Sequence, residues 1–152
     1  MTPEQRMQFL KDEYFFLQST YEDFDRRALT IKSWAIPAYV AGIAVAYDRG
    51  EPLIWEALAV AAAVFWYIEA KWKVFQYAYQ GRIRELEAGF AEPSRLNDIA
   101  PLQITRHWFA DYRTGKSRLP AVACQPFVAL PHLIALVVAA YYALDTFLMP
   151  VE

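Results

Sequence analysis

Three stretches of this chain carry almost no charge, and each is near the length of a helix that crosses a lipid bilayer. The first is 33–47, SWAIPAYVAGIAVAY; with Ile31 at its start it offers about 17 positions, or about 25 Å of helix. The second is 52–68, PLIWEALAVAAAVFWYI, with Glu56 as its one charge. The third is 126–144, PFVALPHLIALVVAAYYAL, with His132 inside it. A core helix of a soluble bundle keeps a polar stripe, whereas these blocks are apolar all round. Trp34, Trp55, Phe65, Trp66, Tyr67, Trp72, Tyr141 and Tyr142 gather near the block ends, where aromatic belts mark a membrane–water interface. The expected fold is therefore an all-α integral membrane protein with three transmembrane helices, 31–47, 52–68 and 126–144, forming a single membrane domain over 1–152.

Charge sets the expected orientation. All fifteen Lys and Arg residues except Arg49 lie before the first block or between the second and third. The positive-inside rule then puts the N-terminus and the middle segment in the cytoplasm. The hairpin Asp48-Arg49-Gly50-Glu51 and the tail 145–152 fall outside. Residues 1–27 are charged throughout and lack the layout of a signal peptide. The net charge of −2 offers no electrostatic case for direct nucleic acid binding. Cys124 is the one cysteine, which excludes an intramolecular disulfide; it reads as a small buried thiol or a lipidation site.

The cytoplasmic parts read as helices. Thr2, Pro3 and Gln5 form a capping-box start. Met7, Leu10, Tyr14, Leu17, Tyr21, Phe24, Ala28 and Ile31 then alternate at spacings of 3 and 4, a heptad seam over 3–31. The second block runs on without proline through 69–90, with Trp72, Tyr79, Ile83, Leu86 and Phe90 on one face. This predicts one helix over 52–90, about 58 Å long, and an antiparallel helical stalk with the N-terminal helix. The two seams pair either within one chain or between subunits. Residues 91–123 form a connector punctuated by Pro93, Pro101 and Pro120, with a short helix over 102–112. Arg106, Trp108, Arg113, Lys116 and Arg118 are candidates for lipid headgroup contact; the alternative is an ordinary basic connector.

Little of the sequence points to chemistry. Residues 110–117, ADYRTGKS, have the loosest form of a phosphate-binding loop but lack the preceding strand that such a loop requires. His107 and Asp111 stand at metal-ligand spacing with no third ligand nearby. No catalytic constellation is legible, so neither an enzyme nor a cofactor is expected. Ionisable groups in a span are costly and usually face protein or water, which makes Glu56, Glu69 and His132 the candidates for lining or gating a pore. Each also has a plainer reading, as a snorkelling, interfacial or helix-bridging side chain. Small residues at Ala38, Gly42 and Ala46, and at Ala135, Ala139 and Ala143, suit close helix packing in lipid.

The heptad helix, the hairpin turn DRGE and the run FWYIEAKWKVFQYAYQGRI resemble the small bacterial membrane effectors of the SLATT type. The resemblance covers roughly the first 90 residues and carries over no site residue. It implies two hairpin spans flanked by cytoplasmic helices, a bacterial inner-membrane location, and membrane perforation in conflict or anti-phage defence. The function expected is an oligomeric channel or pore-forming effector, with lipids and further copies of the chain as partners and a cytoplasmic sensor or regulatory protein as a possible trigger. The alternative is a non-conducting anchor that recruits a soluble partner through the seam of Tyr14, Leu17, Tyr21 and Phe24.

Overall fold

The computed structural model describes residues 1–115 and 118–148. Its helices are α1 (Pro3–Arg49), α2 (Pro52–Tyr77), α3 (Gln80–Ala91), α4 (Pro93–Leu96), α5 (Ile104–Gly115), α6 (Leu119–Ala123) and α7 (Pro126–Leu148). No strand occurs among the described residues. Three helical stretches are long and apolar enough to cross a membrane: Pro3–Arg49, Pro52–Ala91 and Pro126–Asp145.

Local chemistry explains the helix ends. The Thr2 hydroxyl accepts from the Gln5 N–H at 3.2 Å while the Thr2 N–H donates to Gln5 Oε1 at 3.0 Å, a closed capping box. At the other end of α1, Gly50 adopts φ +65° and its N–H donates to the Ala46 carbonyl at 3.0 Å. A residue with a Cβ is disfavoured there, and Pro52 then opens α2 at the position where its missing N–H costs nothing.

The 52–90 helix expected from sequence is interrupted at Ala78 and Tyr79. The Tyr79 N–H turns back to the Gln76 carbonyl at 3.1 Å, a tighter turn, and α3 starts afresh with the Ile83 N–H on the Tyr79 carbonyl. The interruption lies just before Gly81, whose bare Cα faces Asp111 of α5: a Cβ added there would stand 2.0 Å from Asp111 Oδ2. The connector helix starts at Ile104 rather than 102, because Leu102 holds φ +61° and cannot belong to a right-handed helix. The last helix runs four residues beyond 144, to Leu148; residues 149–152 of the expected tail lie outside the described residues.

The chain divides into two compact units, 1–27 with 72–119 and 28–71 with 120–152. In the first unit Leu10 and Leu17 of α1 pack with Ile83 and Leu86 of α3 and with Leu96 and Ile99. Tyr14, Tyr21, Tyr79, Phe90 and Ile104 close over this core. The heptad seam is thus paired within the chain. In the second unit the core is Ala35, Tyr39 and Ala46 of α1, Trp55, Leu58 and Ala62 of α2, and Ala135 and Ala139 of α7. Small side chains dominate it, so the helices approach closely; a Cβ added at Gly42 would stand only 3.0 Å from Leu58 Cδ1, tighter than an ordinary contact. No more than 28% of any apolar span window is buried within the protein. Val40, Val60, Leu130, Ile134 and Val137 all face outward. That distribution, apolar outside and small residues inside, is the one lipid rewards and water penalises.

Candidate functional site

The most polar feature of the second unit is fully enclosed. Glu69 of α2 and His132 of α7 have no exposed surface, and Glu69 Oε2 lies 2.9 Å from His132 Nε2. His132 Nδ1 in turn lies 2.7 Å from the Tyr39 hydroxyl. Lys32 Nζ stands 2.6 Å from Glu69 Oε1, an ion-pair contact off the hydrogen-bond axis, so this oxygen is held by charge rather than by an aligned donor. Lys32, Glu69, His132 and Tyr39 thus form one continuous chain of ionisable groups joining α1, α2 and α7.

The chain has a self-consistent proton arrangement. A carboxylate opposite Nε2 fixes the neutral imidazole proton on that nitrogen, and Nδ1 then accepts the Tyr39 hydroxyl proton. Lys32 and Glu69 cancel each other's charge, so the cluster is neutral overall.

Two prolines stand beside the chain. Pro37 lies inside α1 two residues before Tyr39, and Pro131 lies inside α7 next to His132. Each deletes one backbone hydrogen bond and weakens its helix there. Both helices nevertheless run through unbroken.

Of the sequence-derived pore candidates, Glu69 and His132 meet, while Glu56 stays apart and exposed on α2. Lys32 and Tyr39 were missed. The signal was present: Ala28, Lys32, Ala35, Tyr39, Gly42 and Ala46 continue the seam at spacings of 4 and 3, a phase one residue removed from the Ile31 register. The same shift explains the small-residue stripe of α1. Ala46 is buried and Gly42 half-buried, but Ala38 is exposed, because the packed face passes through Ala35 and Tyr39. On α7 the stripe is placed inward, with Ala135 and Ala139 buried and Ala143 half-buried.

The first unit has its own enclosed polar group. Arg82 is 2% exposed; its Nε and Nη2 donate to the two oxygens of buried Glu13 at 2.9 and 3.1 Å, and its Nη1 to Glu85 at 2.8 Å. Glu13 Oε2 also accepts the N–H of Leu102 at 2.7 Å, and the Ala100 carbonyl accepts from Arg82. This staple fixes the 97–103 loop to α1 and α3. Burial opposes the Arg82 charge, but the bonds to Glu13 and Glu85 outweigh it and push the pKa above the ordinary value.

Tyr14, Leu17, Tyr21 and Phe24 are turned into this unit. Tyr14 meets Phe90 edge-on at 6.0 Å, Leu17 is fully buried, the Tyr21 hydroxyl accepts from Gln80, and Phe24 lies against Trp72 at 5.2 Å. Trp108 is placed differently from a headgroup anchor. It is half-buried, stacked on Tyr112 at 5.0 Å, and donates its ring N–H to the Phe75 carbonyl at 3.2 Å. Arg106, Arg113 and Arg118 are exposed; Lys116 lies outside the described residues. Asp111 is directed at Gly81, and His107 faces Glu85 at 3.5 Å. Among the described residues no group of three or more His, Cys, Asp and Glu is arranged to hold a metal ion. Cys124 is exposed. Comparisons with protein-family models, with curated proteins and with solved structures returned no match to this chain.

Proposed function

We propose that this protein is an oligomeric membrane channel or pore-forming protein whose closed state is held by the Lys32–Glu69–His132–Tyr39 chain and released by protonation. The observation that carries the reading is the enclosure of four ionisable groups, in mutual contact, among three helices apolar enough to span a bilayer. Ionisable groups in such a setting are costly, and they mark ion pathways and proton relays. A proton taken up by His132 leaves the cluster with an uncompensated charge. Rehydration relieves it, and the proline positions on α1 and α7 give those helices a place to yield.

Three spans are few to surround an aqueous path, so the conduit is formed between copies around a symmetry axis. The distribution of Lys and Arg supports an N-terminus and middle segment in the cytoplasm, in a bacterial inner membrane by the SLATT-type resemblance. The inward packing of Tyr14, Leu17 and Tyr21 leaves the anchor reading without the free seam it relied on.

The test is proton and ion flux through liposomes containing the purified protein, across a pH series, with oligomeric size determined in the same detergent. Flux that rises on acidification and loses its pH dependence in His132→Ala supports the reading. A well-inserted protein with no flux at any pH overturns it in favour of a membrane scaffold. Glu56→Gln serves as the comparison outside the buried chain.

A further inference from the structure

We infer that the outward face of α5, made by Arg106, Phe109 and Arg113, is a docking surface for an anionic lipid headgroup layer. The three residues stand at i, i+3 and i+7 and so share one face. All three are exposed, Phe109 at 52%. The opposite face is used internally: Trp108 and Tyr112 pack on Phe75, and Asp111 sits over Gly81. The single acidic residue of α5 is therefore turned in and its two arginines are turned out. Neither arginine is ion-paired among the described residues. Arg106 also borders an open cleft shared with Glu85 and Asp98, which Phe109 does not line.

An aromatic ring between two exposed cations fits a bilayer surface. The guanidinium groups meet lipid phosphates while the ring enters the boundary beneath them. The inference rests on the membrane reading of α1, α2 and α7 but not on conduction.

The experiment uses the full chain with Cys124→Ser and Ala110→Cys, labelled at residue 110 with a small fluorophore. It is reconstituted in bilayers of phosphatidylcholine alone or mixed with phosphatidylglycerol, each doped with a headgroup nitroxide quencher. Stronger quenching in the anionic bilayer, lost at high salt and in the Arg106→Gln/Arg113→Gln pair, is the expected result. The surface equilibrium falls about fivefold per arginine, or about thirtyfold for the pair. Equal quenching in both bilayers, or quenching untouched by the paired substitution, overturns the docking surface. Flotation of the same vesicles separates the two failures: protein that does not float overturns the spans and the surface together, and protein that floats without quenching overturns the surface alone. Circular dichroism of the paired variant checks that α5 remains folded.

Discussion

The Glu69 carboxylate lies 2.9 Å from His132 Nε2, and neither side chain reaches the surface. The partner on the other side of the carboxylate is Lys32, whose side chain is 18% exposed. Removing one member of a buried pair strands the other's charge and costs about 3–5 kcal/mol, while replacing both with apolar groups is close to neutral. Glu69→Gln is therefore expected to lower stability by about 3 kcal/mol, and Lys32→Met in the same chain to restore most of it. The check is a denaturant midpoint in a single detergent. Equal loss in the single and double variants would sink the pairing argument.

The staple of the first unit leads to a second expectation. Glu13→Ala leaves Arg82 without its bidentate partner and the Leu102 N–H without an acceptor, both in enclosed positions. A loss of about 3 kcal/mol follows, the low end for a broken buried pair because Glu85 still faces the Arg82 charge. Hydrogen exchange should show the 97–103 loop opening well before α3.

Leu102 itself holds φ +61° with 65% of its surface exposed. A left-handed conformation costs a branched residue about 1–2 kcal/mol and costs asparagine less. Leu102→Asn is expected to stabilise the first unit by about 0.5–1 kcal/mol, since little packing is given up. A lowered thermal midpoint would show that the leucine side chain has contacts worth more than the strain.

Gly81 is required by Asp111 rather than by its own backbone. A Cβ would stand 2.0 Å from Oδ2 and 2.9 Å from Cγ of Asp111, so the carboxylate must swing away or α5 must shift. Gly81→Ala is expected to cost about 1–3 kcal/mol despite its better helix propensity. Asp111→Ala in the same chain should return the variant to at least the parent's stability, and a double-mutant cycle measures this directly.

Acid should loosen the contact between Asp25 and Lys73. Partial burial raises the Asp25 pKa, but hydrogen bonds from Lys73 and Gln76 outweigh it and hold the carboxyl below its ordinary 3.8. A carboxyl lowered in the folded state contributes stability in full above its unfolded pKa, and that contribution is lost as pH falls through the folded one. The Asp25 contribution is thus complete at neutral pH and disappears only below about pH 4. Because the Asp25 side chain is half exposed, the effect is small. Asp25→Asn should flatten this acid limb in hydrogen exchange of α1 and leave the neutral-pH values nearly unchanged.

Composition and periodicity by themselves determined the helical class, the three apolar stretches, the Thr2–Gln5 cap and the turn at Gly50, because each depends on neighbours within a few residues. The 3-and-4 spacing of Leu10, Tyr14, Leu17 and Tyr21 likewise announced a packed face, and the proline-free run after Ile68 announced a helix. Only the tertiary structure decided what those faces meet. Spacing cannot say whether a seam pairs within a chain or between chains; Ile83 and Leu86 answer that in space. It also cannot separate two helix phases one residue apart, which is why Ala38 looked inward and Lys32 and Tyr39 went unnoticed. Trp108 and Phe109 show the same limit, since adjacent residues on an amphipathic helix exchange roles with a modest rotation. The joining of Lys32, Tyr39, Glu69 and His132 depends on three helices far apart in sequence, and no local pattern encodes such a meeting.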